Sequence, residues 1–117
     1  MVVQFNTISA LLENAQSEAL YKKLVDQLKK DFNLANIEIN LPLHVSAINL
    51  KTILHQKIYR LLLDDFSKYL NLLYIIDVSE QAVKKIAATD VIEISEQVAF
   101  LILKREFQKV FYKAKYS

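Results

Sequence analysis

The longest run of helical periodicity covers residues 50–76, LKTILHQKIYRLLLDDFSKYLNLLYII. Set at about 100° per residue, its apolar side chains, from Ile53 and Leu54 through Leu61, Leu62, Leu63, Phe66 and Leu70 to Ile76, fill an arc of roughly 200°. A surface helix needs an apolar stripe of only about 100°, so the pattern predicts one continuous helix with neighbours on several sides. Two polar side chains interrupt the arc. Asp65 projects between Leu61, Leu62, Tyr69 and Leu72, and His55 falls near its start.

The flanking segments read as shorter helices. Ile8, Leu11, Leu12 and Ala15 recur at helical spacing behind Asn6 or Thr7 as N-cap. Ser17 then predicts a fresh cap, followed by a narrow stripe of Leu20, Leu24, Leu28 and Phe32. Opposite that stripe, Lys22, Lys23, Lys29 and Lys30 balanced by Glu18, Asp26 and Asp31 form a plain polar face. Residues 33–36 carry side chains that compete for the backbone and should end this helix. Residues 37–43 alternate with a period of two, yet no partner strand is available; they predict an extended connector whose Ile37, Ile39 and Leu41 cover one end of the core. Pro42 keeps that connector out of helix, and Ser46 or Asn49 caps the long helix.

Downstream, Ser79 followed by Glu80 starts a short helix with Val83, Ile86 and Ala87 inward. The last helix begins at Asp90 or Ser95 and runs to about residue 113, with Val98, Ala99, Ile102, Leu103, Phe107, Val110 and Phe111 inward. Glu106 stands on that same stripe. The echo of Val78-Ser79-Glu80-Gln81 in Ile94-Ser95-Glu96-Gln97 spans four residues of cap chemistry and no more, so it is not a repeat. Residues 1–5 either fray or pack as a short extended arm. Together these elements predict an all-α single-domain bundle over residues 1–117, four or five helices around the central helix 50–76 with the last helix packed against it.

Composition sharpens this. The 117 residues hold no Gly and one Pro, and an all-helical fold is the one that needs glycine least. Without Gly, no phosphate-cradling loop of the nucleotide-binding kinds exists. Without Cys there are no disulfides, thiolate nucleophiles or iron–sulfur clusters, which fits a reducing cytoplasm. A formal charge of +2 does not by itself point to nucleic acid or membrane. The apolar run 98–103 is far short of the roughly 20 residues of a membrane span, and polar Asn6 and Thr7 argue against a secretory signal, so a soluble protein is expected.

Three stretches carry a likeness. Asp64-Asp65-Phe66, the run from Leu72-Leu73-Tyr74-Ile75-Ile76 to Asp77-Val78-Ser79-Glu80, and Ile102-Leu103-Lys104-Arg105-Glu106-Phe107-Gln108-Lys109 resemble the C-terminal half of a small uncharacterised bacterial all-helical protein family. Those sequences often carry a polar residue where this chain has Ile75. The resemblance implies a small cytoplasmic bacterial protein and, since that family has no assigned activity, brings no chemistry with it.

The candidate chemistry is sparse. Asp65, Glu106 and His55 are ionisable groups on inward arcs of two helices, and buried charges are nearly always paired, here with Arg60, Arg105 or Lys57. The alternative is a carboxylate pair at Asp65 and Glu106 with one raised pKa, the germ of an enzyme site. No Glu-x-x-His motif exists, so no metal or other cofactor is expected. His44 reads as solvent-facing or capping, and no Ser–His arrangement supports nucleophilic catalysis. The basic, aromatic C-terminal helix, with Lys104, Arg105, Lys109 and Lys113, offers a weaker nucleic-acid reading. The apolar excess favours a non-enzymatic protein-interaction or scaffold module acting through an apolar helix face, with a homodimer as one form of it.

Overall fold

The computed structural model describes residues 5–116, and the expectation for the first four residues lies outside them. Six helices follow one another: α1 (Ile8–Ser17), α2 (Tyr21–Leu34), α3 (Ala47–Asp64), α4 (Phe66–Ile76), α5 (Glu80–Lys84) and α6 (Val91–Tyr116). No strand occurs among the described residues, so the all-α bundle is observed. Residues 37–42 form no helix or strand and lead into a turn at residues 43 and 44, with Ile37 and Leu41 buried and Ile39 against the core, as their alternation implied.

Most helix starts follow from local chemistry. The Thr7 hydroxyl accepts from Ala10 N–H at 3.1 Å, Ser46 from Asn49 at 3.2 Å, Ser79 from Ala82 at 3.3 Å and Asp90 from Glu93 at 2.9 Å. Ser17 departs from its expected role. It is the last residue of α1, its hydroxyl donates to Asn14 O, and α2 begins behind Leu20 with no side-chain cap.

The helix ends show how a chain without glycine turns. Ala19, Asn36 and Asp77 adopt φ of 57°, 61° and 68°, the left-handed conformation that glycine usually supplies. In each case the next N–H reaches back five residues, from Leu20 to Ala15 O, Ile37 to Phe32 O and Val78 to Leu73 O. The apolar residue after each turn then folds onto the helix it leaves. His44, exposed in the connector, is the fourth positive-φ residue, at 60°.

The expected continuous helix over residues 50–76 is two helices. Asp65, at φ −153° and ψ 76°, ends α3 and caps α4, its Oδ1 accepting Lys68 N–H at 3.2 Å. Continuing the helix would have driven the Asp65 carboxylate among leucines, at a penalty of several kcal/mol for an unpaired buried charge. Breaking there leaves it half-buried and satisfies an orphan N–H of α4.

Only one side of the apolar arc is covered, on both halves. Leu54, Ile58, Leu61, Tyr69, Leu72, Leu73 and Ile76 are buried, whereas Leu63, Phe66 and Leu70 face outward. The organising helix is therefore α6, which packs against each of the other five; α3 is its principal neighbour. Val98, Ala99, Ile102, Leu103, Phe107, Val110 and Phe111 all lie in the core. Removing side chains of this size from water contributes roughly 1.5–3 kcal/mol each before conformational entropy is subtracted.

Candidate functional site

Three polar residues are buried among the described ones: Asp31, Ser95 and Glu106. They form two polar clusters along α6, one on each side of its middle.

The first cluster lies in the seam between α2 and α6. Contacts of Glu106 and Lys109 with Asp31, and of Lys115 with Glu18, show that the two helices run antiparallel. Lys109 Nζ stands 2.8 Å from Asp31 Oδ2 and 3.1 Å from Glu106 Oε1, so one ammonium serves two carboxyl groups. Gln27, one turn before Asp31, donates its Nε2 to both Asp31 oxygens at 3.2 Å. Asp31 is 3% exposed and Glu106 0%.

Protonation follows from this geometry. Neither Glu106 oxygen receives a well-directed N–H among the described residues, so a Glu106 carboxylate would be unsatisfied in a dry site. Burial, then the hydrogen bond to Asp31 and its negative charge, push the Glu106 pKa up to about 9, against the opposing pull of Lys109. Burial acts to raise Asp31 as well, but hydrogen bonds from Glu106, Lys109 and Gln27, with the Lys109 charge, outweigh it and hold Asp31 below its ordinary value. Glu106 is thus a neutral acid donating to the Asp31 carboxylate, and Lys109 balances the remaining charge. The cluster is a buried polar latch between α2 and α6, held by Lys109 between the two carboxyls. Both carboxyls are shut off from solvent.

Asp65 is not part of it. Asp65 caps α4, and the groups facing Glu106 are Asp31 and Lys109, neither the Asp65 of the alternative reading nor the Arg60, Arg105 or Lys57 of the favoured one. Asp31 was legible in principle. Seven residues beyond Leu24 and three beyond Leu28, it lies on their face, and reading the stripe in steps of four through Phe32 hid this.

The second cluster joins α3 to α6. His55 Nε2 lies 2.8 Å from Ser95 Oγ and 3.1 Å from Ile92 O, while Ser95 Oγ donates to Ile92 O at 2.7 Å. With the hydroxyl proton spent on a carbonyl, Nε2 is assigned as the donor to the Ser95 oxygen. A histidine in that tautomer cannot take the serine proton, so the pair ties two helices and does not form a nucleophile and base.

The basic C-terminal residues do not converge either. Arg105 clamps the left-handed end of α4, its Nε donating to Asp77 O at 3.1 Å and its Nη2 to Asp77 Oδ2 at 3.2 Å. Lys109 is turned inward, and Lys104 lies over the Phe100 ring at 4.5 Å. Lys104 and Lys113 are nine residues apart, half a turn round the helix, and cannot share one surface. Phe107 and Phe111 are core residues in mutual contact, and Tyr112 stacks with Tyr116. The single basic, aromatic surface read from the sequence is dispersed.

One exposed feature stands out. On α4, Phe66, Leu70 and Tyr74 follow one another at intervals of four residues and are 54%, 51% and 82% exposed, with Leu63 at 51% just ahead at the end of α3. Ser67 and Asn71 border this stripe. The one charged residue of α4, Lys68, is about 200° round the helix from Phe66.

Among the described residues no cluster of three His, Asp or Glu side chains could hold a metal ion, and no helix is long and apolar enough to cross a membrane. Comparisons with protein-family models, with curated proteins and with solved structures gave no match to this chain.

Proposed function

We propose that the protein is a non-enzymatic protein-interaction module that works through the exposed face of α4, with a second copy of the same chain as the partner this face fits first. The carrying observation is the uncharged stripe Phe66–Leu70–Tyr74. An apolar stripe in this position exposes surface that a monomer gains nothing by exposing.

The spacing is self-complementary. Two antiparallel copies of α4 crossing at Leu70 set Phe66 of each against Tyr74 of the other, the isologous arrangement of a two-fold dimer. The four side chains leave on the order of 400 Å² open per copy, about half of the roughly 800 Å² per partner of a standard interface. They form the apolar centre of a small interface with a polar rim, which matches reversible association in the micromolar range better than an obligate dimer. The cysteine-free composition fits a cytoplasmic setting.

Light scattering and sedimentation across the micromolar range test this. Mass should rise with concentration, and Leu70→Glu, which sets two acids at the dyad, should return it to that of a monomer while leaving the helical signal intact. A protein that stays monomeric throughout, or an association that Leu70→Glu does not weaken, rejects the reading.

A further inference from the structure

A different surface carries a binding site. Between α2 and α6, outside the Asp31–Glu106–Lys109 latch, runs a groove of about 460 Å³. Its α2 wall is Lys23, Asp26, Gln27 and Lys30, one face of that helix, and its α6 wall includes Lys113. Ala114, with the edge of the largely buried Val110, gives the same wall a small apolar part.

The charges are unequal to one another's needs. Lys22 approaches Asp26 to 3.4 Å, but Lys23, Lys30 and Lys113 take part in no ion pair or hydrogen bond among the described residues. Three uncompensated ammoniums thus surround one concavity. Lys23 and Lys30 are set about 10 Å apart along the helix, and their long stems let them converge on a bound anion. The groove also offers acceptors. Asp26 presents a carboxylate, and Gln27, whose Nε2 is committed to Asp31, keeps its Oε1 free to accept.

From this pairing of cations with fixed acceptors beside a small apolar part of the wall, we infer that the α2–α6 groove binds a small phosphorylated polyol or sugar. The phosphate lies among the three lysines, hydroxyls donate to Asp26 and Gln27 Oε1, and the carbon face of the ligand covers Ala114 and the edge of Val110. A nucleic-acid strand fits less well, since Asp26 stands in the path that a continuous phosphate backbone would follow.

Amide chemical-shift titration with a hexose phosphate tests this, with inorganic phosphate, the unphosphorylated hexose and sodium chloride at matched ionic strength as separate arms. Saturable shifts centred on Gln27, Lys30 and Lys113 are expected from the hexose phosphate, weaker ones at the same amides from phosphate, and none from the sugar or the salt. Lys30→Gln and Lys113→Gln should each weaken binding about tenfold, the loss of one charge-assisted contact, while Lys22→Gln leaves it unchanged. Shifts reproduced by sodium chloride, or untouched by the Lys30 and Lys113 substitutions, overturn the site. Tighter binding of single-stranded RNA than of the hexose phosphate overturns the small-ligand assignment. None of these readouts depends on whether the chain dimerises through α4.

Discussion

The α2–α6 seam and the outer face of α4 invert ordinary protein architecture in opposite ways. The buried part of the seam holds two carboxyl groups and an inward lysine, and its partners lie within the chain: the Lys109 ammonium reaches both carboxyls and the Gln27 amide donates to Asp31. The α4 face leaves two aromatic rings and a leucine half or more exposed among the described residues. A buried charge must find its partner inside the fold because dehydration is so unfavourable, whereas an exposed apolar stripe is tolerated and can wait for another molecule. The seam is therefore a place to test stability, and the stripe a place to test the proposed interaction.

The largest effect should come from removing the cation of the seam. Lys109→Met leaves the Asp31 carboxylate buried without its charge partner, and chemical denaturation should show a loss of about 3–5 kcal/mol. A loss below about 1 kcal/mol would mean that the latch is open to water.

The next test separates the two regions directly. Tyr74→Ser on the apolar face should change monomer stability by no more than about 0.5 kcal/mol, as for an exposed site, while weakening self-association in sedimentation. If the fold loses more than that, the α4 face belongs to the core and the contrast between the regions fails.

The third concerns pH. The Glu106 folded pKa is raised from its ordinary value of 4.5 to about 9, so its contribution to stability is complete below about pH 4.5 and is lost as the pH climbs towards 9, at up to about 1.4 kcal/mol per unit. Asp31 is shifted the other way, and its contribution is lost only in acid, as the pH falls below its ordinary value of 3.8. Glu106→Gln keeps a donor for Asp31 but has no proton to lose. It should flatten the alkaline slope and be more stable than the natural protein at pH 8, with the gap closing towards pH 5. An unchanged slope in thermal melts would show that Glu106 is ionised.

A modest loss of stability should follow at the α3–α4 break. Asp65→Ala removes the α4 cap and should lower stability by about 1 kcal/mol, as measured by denaturant midpoint. A cost of several kcal/mol would instead indicate a core role for that carboxylate.

Much of this architecture follows from local chemistry that one sequence displays. The caps at Thr7, Ser46, Ser79 and Asp90, the stop after Leu34, the connector over residues 37–42 and the inward stripe of α6 with its one acid all depend on side chains within a turn or two of one another. Periodicity fixes which residues share a face, so the burial of Glu106 was readable. What faces that residue was not. Whether it would meet Asp65 or Asp31 depended on how α2, α4 and α6 pack: Asp65 caps α4, while Asp31 of α2 faces Glu106, and Phe66, Leu70 and Tyr74 are left on the uncovered side of α4. Helical period is a property of neighbours along the chain. The choice of partner across it belongs to the whole fold, where the free energies of buried charge and exposed apolar surface are settled together.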